Sequence, residues 1–177
     1  MNLLNKLACW RWPLMRTLEK SEPQSDTQER TMSYLPKSKR HIHTLVIHST
    51  ATKADRNVTA AEIDSWHKQR GWTGIGYHLV IRRDGSAELG RNIHKQGAHI
   101  AGHNRGTIGV VMVGGLSDSH APEANFTKAQ FKTLRHVLDE QISHYPDLKI
   151  IGHRDLKPTA CPSFDVRHWL ATGQLKA

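Results

Sequence analysis

The sequence predicts an α/β domain in which helices pack on a central mixed β-sheet. Short apolar runs of strand length alternate with two helical segments that open on capping boxes, and a hairpin lies between them. A chain of 177 residues suits one domain with a tail, and such a domain needs no disulfide. The two cysteines, Cys9 and Cys161, lie far apart in sequence, so their thiols are free for chemistry, metal binding or packing.

Residues 1–40 are predicted to be a poorly ordered tail and linker, and residues 41–177 to form the domain. The opening run, MNLLNKLACWRWPLMR, lacks the apolar core of a signal peptide and is too short to span a bilayer. We interpret residues 1–16 as a disordered tail, with an amphipathic helix on a membrane surface as the alternative. The polar segment that follows is typical of a linker, and Met32 offers a second start for translation.

Two helices are marked by capping boxes. Thr59 with Glu62 begins the first helix, which Gly71 ends, and Thr127 with Gln130 begins the second. One face of the first helix carries Ile63, Trp66 and Arg70. The second helix carries an apolar stripe that we assign to the core, formed by Phe131, Leu134, Leu138 and Ile142.

The predicted strands are short and apolar. The runs HTLVIHST, TIGVVMVGG and LKIIGH are typical of buried strands, and the first and last of them end in His48 and His153. Between them, GYHLVIRRDGSAEL predicts a hairpin that turns at the pair Asp84 and Gly85. A third helix is predicted to begin near residues 163–165.

Charge and histidine content narrow the class of partner. The net charge is +9 with histidines neutral, which favours a polyanionic partner such as nucleic acid, anionic lipid or a bacterial wall, without choosing among them. The 13 histidines make a metal site more plausible than an average composition would.

A candidate metal site follows from the strand ends. His48 and His153 close two predicted buried strands, and Cys161 comes eight residues after His153, on a loop long enough to return to them. Two neutral imidazoles and one thiolate suit Zn²⁺, with the fourth tetrahedral position open for water. The spacing also leaves open a Cys161 nucleophile with either histidine as its base.

Several motifs together identify a family. They are VIHSTATK, WHKQRGWTGIGYHLVIRRDG, GAH, HNRGTIGVVMVGG, ANFTKAQ and HRDLKPTACPSFD, in that order. They resemble the zinc N-acetylmuramoyl-L-alanine amidases of the bacteriophage lysozyme type, which are homologous to peptidoglycan recognition proteins. The resemblance implies that fold as a single domain, hydrolysis of the amide between N-acetylmuramic acid and L-alanine, and His48, His153 and Cys161 as zinc ligands.

The resemblance implies roles for three further residues. Tyr77 stands at the position of the family's catalytic tyrosine, whose phenol can hydrogen-bond a developing oxyanion. Thr159 stands two residues before Cys161, where some phage amidases carry a catalytic lysine, and is predicted to donate a hydrogen bond without adding charge. His99, in the GAH motif, is predicted to contact substrate. His78 is left out of the metal set because it should point to the opposite face of its strand.

The function implied is that of a phage or prophage endolysin acting on peptidoglycan as a monomer, with no nucleic-acid partner. The absence of a signal peptide predicts accumulation in the cytoplasm until another protein opens the membrane. Three alternatives remain open: a cytoplasmic amidase that recycles wall fragments, a peptidoglycan-binding module without catalysis, and a regulator that binds a phage RNA polymerase. Cys161 favours an enzyme, because members of the family that only bind typically lack this ligand.

Overall fold

The computed structural model describes residues 33–176, so the predictions for residues 1–16 and Met32 lie outside the described residues. Among residues 33–176, no helix combines the length and the apolar character that crossing a membrane requires. The elements in chain order are β1 (Thr44–Ser49), α1 (Ala60–Gln69), β2 (Leu79–Ile81), β3 (Ala87–Leu89), β4 (Thr107–Met112), α2 (Lys128–His144), β5 (Lys149–Gly152), a 3-10 turn (His153–Asp155) and α3 (Val166–Thr172).

The five strands form one mixed sheet in the order β3-β2-β4-β1-β5. β1 pairs in parallel with β4 and β5, β4 also pairs in parallel with β2, and β3 is antiparallel to β2. Every residue of β1 and β4 is buried, as expected for central strands covered on both faces. The predicted fold class is confirmed, and the carboxyl ends of β1 and its two neighbours meet at one edge of the sheet.

Both predicted capping boxes are formed. The Thr59 hydroxyl accepts from the N–H of Glu62 at 3.2 Å, and the Glu62 carboxylate accepts from the N–H of Thr59 at 2.9 Å. Thr127 and Gln130 exchange the same two hydrogen bonds at the start of α2. Gly71 follows the end of α1 with a φ of 82°, in the left-handed region that glycine adopts without strain.

The hairpin forms, but its turn lies one residue earlier than predicted. The N–H of Gly85 donates to the carbonyl of Arg82 at 2.9 Å, so Arg83 and Asp84 occupy the centre of the turn. Gly85 has a φ of 86° and comes after the turn, where it allows β3 to resume pairing. The Asp84 carboxylate accepts from the N–H of Ser86 at 2.9 Å and so fixes this arrangement.

The apolar stripe of α2 is correct at its centre and wrong at its end. Ile142 is 41% exposed. Gln141 is buried in its place, and its amide donates to the carbonyl of Leu35 at 2.8 Å. A polar side chain is stable there because a segment of backbone, rather than side chains alone, covers this end of the helix. The stripe residues that pack in the core are Phe131, Leu134 and Leu138.

That covering segment is residues 33–40, which were predicted to belong to the tail. Leu35 is 1% exposed within the main core. The Glu140 carboxylate accepts from the backbone N–H groups of Tyr34 and Leu35, each at 3.1 Å, and the Tyr145 hydroxyl accepts from the N–H of Ser38 at 2.6 Å. The domain therefore includes residues 33–40, and its boundary comes earlier than position 41.

Candidate metal centre and active site

The three predicted metal ligands lie together. One ligand atom from each of His48, His153 and Cys161 lies within 4.8 Å of the other two. Nδ1 of His48 is 3.9 Å from Sγ of Cys161, and the ring centroids of His48 and His153 are 4.8 Å apart. A nitrogen and a sulfur bound to one tetrahedral zinc lie about 3.6 Å apart, so the cluster needs only a small closure to fit this ion.

Strand register explains why the two histidines meet. Ile47 of β1 pairs with Gly152 of β5 in a parallel ladder. His48 is the next residue of β1, and His153 follows the end of β5 as the first residue of the 3-10 turn, so the two histidines emerge side by side at the same edge of the sheet. Parallel pairing of β1 with β5 thus brings the two imidazoles together, one on a strand and one on the turn that follows β5.

The thiol of Cys161 is held by hydrogen bonds from β1. The N–H of Ser49 lies 3.2 Å from Sγ and the Ser49 hydroxyl lies 3.6 Å from it, both as donors. Burial raises the pKa of Cys161, and the two hydrogen bonds from Ser49 act in the opposite direction because they favour the thiolate. The N–H of Arg154 donates to the carbonyl of Cys161 at 2.8 Å and closes the loop. Ser49 was not predicted, although its position directly after His48 was the available signal.

Burial favours the neutral form of both predicted histidine ligands. Burial lowers the pKa of His48 well below its usual value, and the neighbouring His99 and His153 lower it further. Burial, followed by the charge of Lys157, lowers the pKa of His153. A neutral imidazole keeps the lone pair that a metal ion requires, so the cluster offers two nitrogens and one sulfur to a zinc ion.

Tyr77 lies against the ligand cluster, as predicted from its motif. Its ring centroid is 5.0 Å from that of His48. Burial, and secondly the nearby Cys161, raise the pKa of the Tyr77 phenol well above its usual value. The hydroxyl therefore stays protonated at neutral pH and is available as a hydrogen-bond donor.

Thr159 lies on the loop that carries Cys161. Its hydroxyl oxygen accepts from the N–H of Cys161 at 3.3 Å, which leaves the hydroxyl proton free to donate. The side chain is exposed, as is that of Lys157 on the same loop. Its hydrogen bond is to the backbone of the ligand loop, and a role at the reacting carbonyl stays a prediction.

His99 occupies a different position from the one expected of a substrate contact. It is 8% exposed, and burial lowers its pKa to about 3. Its Nδ1 lies 2.9 Å from Nε2 of His48, and its Nε2 lies 3.1 Å from the hydroxyl of Thr107. Both ring nitrogens are engaged inside the domain, and no ring nitrogen remains for a substrate.

His78 is also fully engaged with the protein. Its Nδ1 accepts from the N–H of Gly109 at 2.9 Å, and its Nε2 lies 3.1 Å from the carbonyl of Lys95. Burial lowers its pKa to about 4. The ring therefore ties two backbone segments together.

A pocket of about 70 Å³ opens beside Tyr77. Its walls come from α1 and from segments next to the cluster of predicted ligands: Thr50, Ile63, Trp66, His67, Arg70 and Tyr77. Ile63, Trp66 and Arg70 share the helical face predicted from their spacing, so the face that packs toward Tyr77 also lines the pocket. His67, whose Nδ1 accepts from the N–H of Gly76 at 3.0 Å, was not predicted to take part.

Comparison with known proteins agrees with this geometry. Residues 38–164 match the protein family described as N-acetylmuramoyl-L-alanine amidase. The chain is 46% identical over 129 residues to the endolysin of Enterobacteria phage K11, covering 73% of this chain and 85% of that one. It is 40% identical over 139 residues to the endolysin of Escherichia phage T7, covering 78% and 92%. The solved structure of the N-acetylmuramoyl-L-alanine amidase LysC from Clostridium intestinale matches with a TM-score of 0.64 at 30% identity, over 77% of this chain and 88% of that one. The chain therefore belongs to the N-acetylmuramoyl-L-alanine amidase family, as its motifs predicted.

Proposed function

We propose that this chain is a zinc-dependent endolysin that hydrolyses the amide between N-acetylmuramic acid and L-alanine in peptidoglycan. The observation that carries the proposal is the convergence of His48, His153 and Cys161 within 4.8 Å beside Tyr77. The similarity to two phage endolysins over 85% and 92% of their lengths favours a lytic role over wall recycling. Such an enzyme waits in the cytoplasm and reaches the wall once the inner membrane is opened.

The chain's own residues prepare the metal site. His48 and His153 present neutral nitrogens, Cys161 presents its sulfur, and Ser49 donates two hydrogen bonds to that sulfur. These residues would hold a zinc ion, which would supply the Lewis acidity needed to polarise a carbonyl and activate water. Three protein ligands are typical of a catalytic rather than a structural zinc site, since one coordination position stays open.

The hydroxyl groups of Tyr77 and Thr159 would stabilise the charge that develops on the scissile carbonyl. Tyr77 keeps its proton because burial raises its pKa, so it can donate a hydrogen bond to an oxyanion. Thr159 retains a free hydroxyl proton, because its oxygen accepts the N–H of Cys161. Neither donor carries a positive charge, so the positive charge near the oxyanion would have to come from an ion held by His48, His153 and Cys161.

The pocket beside Tyr77 suits the stem peptide of peptidoglycan. Ile63 and Trp66 provide apolar walls, and Arg70 provides a cation for a peptide carboxylate. The net charge of +9 favours approach to an anionic wall. The peptide would enter along α1 with its amide next to the metal cluster.

The alternative of a cysteine nucleophile is disfavoured by the electrostatics of the pair. An activated thiolate with an imidazolium partner requires a lowered thiol pKa and a raised histidine pKa. Burial instead raises the pKa of Cys161 and lowers that of His48. The pair is therefore better suited to share a cation than to exchange a proton.

Digestion of purified sacculi tests the proposed reaction. Zinc-loaded wild type should release new L-alanine amino termini, whereas chelator-treated protein and Cys161→Ser should not, and added zinc should restore the chelated wild type only. Cys9→Ser is the matched control, because it makes the same substitution at the other cysteine, and it should digest as wild type does. Release of reducing sugar ends instead of amino termini would identify a glycosidase and refute the assignment.

A further inference from the structure

A chain of hydrogen bonds links the ligand His48 to the interior of the domain. Nε2 of His48 lies 2.9 Å from Nδ1 of His99, and Nε2 of His99 lies 3.1 Å from the Thr107 hydroxyl. That hydroxyl lies 3.0 Å from the backbone carbonyl of Asn104. We call these four residues the His48–Asn104 chain. Its first three members are 1%, 8% and 3% exposed, so water does not compete for these bonds.

The direction of every hydrogen bond in this chain is determined by its last member. A backbone carbonyl only accepts, so the Thr107 hydroxyl must donate its single proton to Asn104. The Thr107 oxygen then accepts, and Nε2 of His99 is the donor. A neutral imidazole carries one N–H, so Nδ1 of His99 accepts and Nε2 of His48 donates to it. His48 is left with an unprotonated Nδ1, which is the nitrogen 3.9 Å from Sγ of Cys161.

Packing holds the His99 ring in this chain. A Cβ added at Gly97 would lie 2.5 Å from Cδ2 of His99, and one added at Gly109 would lie 2.7 Å from the same ring. The ring thus fills a slot between two stretches of glycine backbone. The side-chain oxygen of Asn104 accepts from the N–H groups of His99 and Ile100, each at 2.9 Å. Asn104 therefore fixes both the backbone of His99 and, through its own carbonyl, the hydroxyl of Thr107.

We propose that His99 is a positioning residue that holds His48 with its proton on Nε2, so that Nδ1 faces the metal position before an ion binds. The inference rests on the proposed function, because it concerns the same zinc site. Hydrogen-bond partners of a metal-bound histidine fix its tautomer and ring orientation, and here the partner is a second histidine backed by a threonine. In this proposal His99 supports His48 from inside the domain, instead of making the direct substrate contact that the sequence predicted.

The test uses two substitutions at Thr107, which is not a ligand. Thr107→Val keeps the shape of the side chain but removes the acceptor for His99, while Thr107→Ser keeps the hydroxyl. In metal-free protein labelled with nitrogen-15, long-range imidazole correlations report which nitrogen of His48 carries the proton. Wild type and Thr107→Ser should show the proton on Nε2, and Thr107→Val should show a mixture of both forms.

Zinc affinity, measured by competition with a chromophoric chelator, gives the second readout. Thr107→Val should bind zinc about tenfold more weakly than wild type, and Thr107→Ser within about twofold of it. The inference is overturned if His48 of wild type carries its proton on Nδ1, or if Thr107→Val binds zinc as tightly as wild type. Failure of wild type to bind zinc would refute the proposed function instead, and the tautomer in metal-free protein would still decide the role of His99.

Discussion

His48 and His78 are both buried histidines next to the central strands, yet their ring nitrogens have different partners. His78, just before β2, engages both nitrogens with backbone, the N–H of Gly109 at 2.9 Å and the carbonyl of Lys95 at 3.1 Å. His48, near the end of β1, commits Nε2 to His99 and turns Nδ1 toward Cys161. Burial lowers the pKa of both rings. Burial and neutrality are therefore common to both rings, and the difference is that Nδ1 of His48 faces Cys161 whereas both nitrogens of His78 are bonded to backbone.

The comparison also separates two ways of fixing a tautomer. The N–H of Gly109 fixes His78 directly, because a backbone donor requires an unprotonated Nδ1. His48 is fixed by the longer chain through His99 and Thr107, which ends on a backbone carbonyl. The tautomer of His48 can therefore be altered by substituting the side chains of His99 or Thr107. His78 depends on backbone groups, which a side-chain substitution elsewhere does not remove.

The largest expected effect follows from removing each of the two imidazoles in turn. His48→Ala should lose stoichiometric zinc, and hydrolysis of a soluble muramyl peptide should fall by at least about 100-fold, since a Lewis acid supplies several kcal/mol of transition-state stabilisation. His78→Ala should retain one zinc per chain, but its unfolding free energy should fall by about 2–4 kcal/mol, because it leaves a cavity and an unpaired N–H on Gly109. Metal analysis, initial rates and denaturant unfolding measure the three quantities.

The two variants serve as controls for each other, since both delete one buried imidazole. Loss of zinc from a folded His78→Ala would show that His78 supports the site, and the distinction between the two histidines would then be wrong. Retention of zinc and activity by His48→Ala would remove His48 from the ligand set.

The next effect concerns acid stability. Burial lowers the pKa of His78 to about 4 from an ordinary value of 6.5. Between these values the unfolded chain binds a proton at His78 that the folded chain does not. The stability that the neutral, buried His78 contributes to the fold is therefore fully present above pH 6.5 and is lost as the pH falls toward 4. The unfolding free energy of metal-free wild type should therefore decline with falling pH by up to about 1.4 kcal/mol per unit more steeply than that of His78→Ala. Equal slopes in urea titrations across this range would contradict the assignment.

The difference between strand ends and loops also explains how much was predictable. His48 and His153 were identified because each follows an apolar run of strand length, and parallel pairing of Ile47 with Gly152 brings them together. The strand before His48 is buried as predicted, whereas β5, predicted to be buried, lies at the edge of the sheet and is only half-buried. The place of His99 was not predictable, because residues 90–106 contain no strand or helix and no period fixes where the ring points.

A contact between distant segments explains the error at the end of the α2 stripe. Ile142 fits the helical stripe of α2, yet Gln141 is the buried residue, because the segment carrying Leu35 crosses the helix and offers a carbonyl to the amide. No local sequence pattern predicts such a contact between positions more than 100 residues apart.

The turn at Arg83 and Asp84 was misplaced by one residue for a local reason. An Asp-Gly pair suits two hairpin geometries, which differ in whether the glycine lies within the turn or after it.

The smallest expected effect concerns the side-chain support of Cys161, the third predicted ligand. Ser49→Ala removes the hydroxyl donor 3.6 Å from Sγ of Cys161 but keeps the backbone N–H at 3.2 Å. Because the shorter bond remains, zinc affinity should fall by only about 3- to 10-fold, at or below the lower end of what supporting residues contribute. The pKa of the thiol in metal-free protein should rise, since one of the two bonds that favour the thiolate is lost. Alkylation rates as a function of pH measure that pKa, and the chelator competition measures the affinity.

Ser143→Ala is the matched control, because its exposed hydroxyl donates to a carbonyl within α2, away from the cluster. It should leave both the alkylation profile and the zinc affinity unchanged. An alkylation profile of Ser49→Ala identical to that of wild type would mean that the hydroxyl does not reach the sulfur in solution. Cys161 would then resemble His78 in depending on backbone alone, and the side-chain support of the site would be confined to His48.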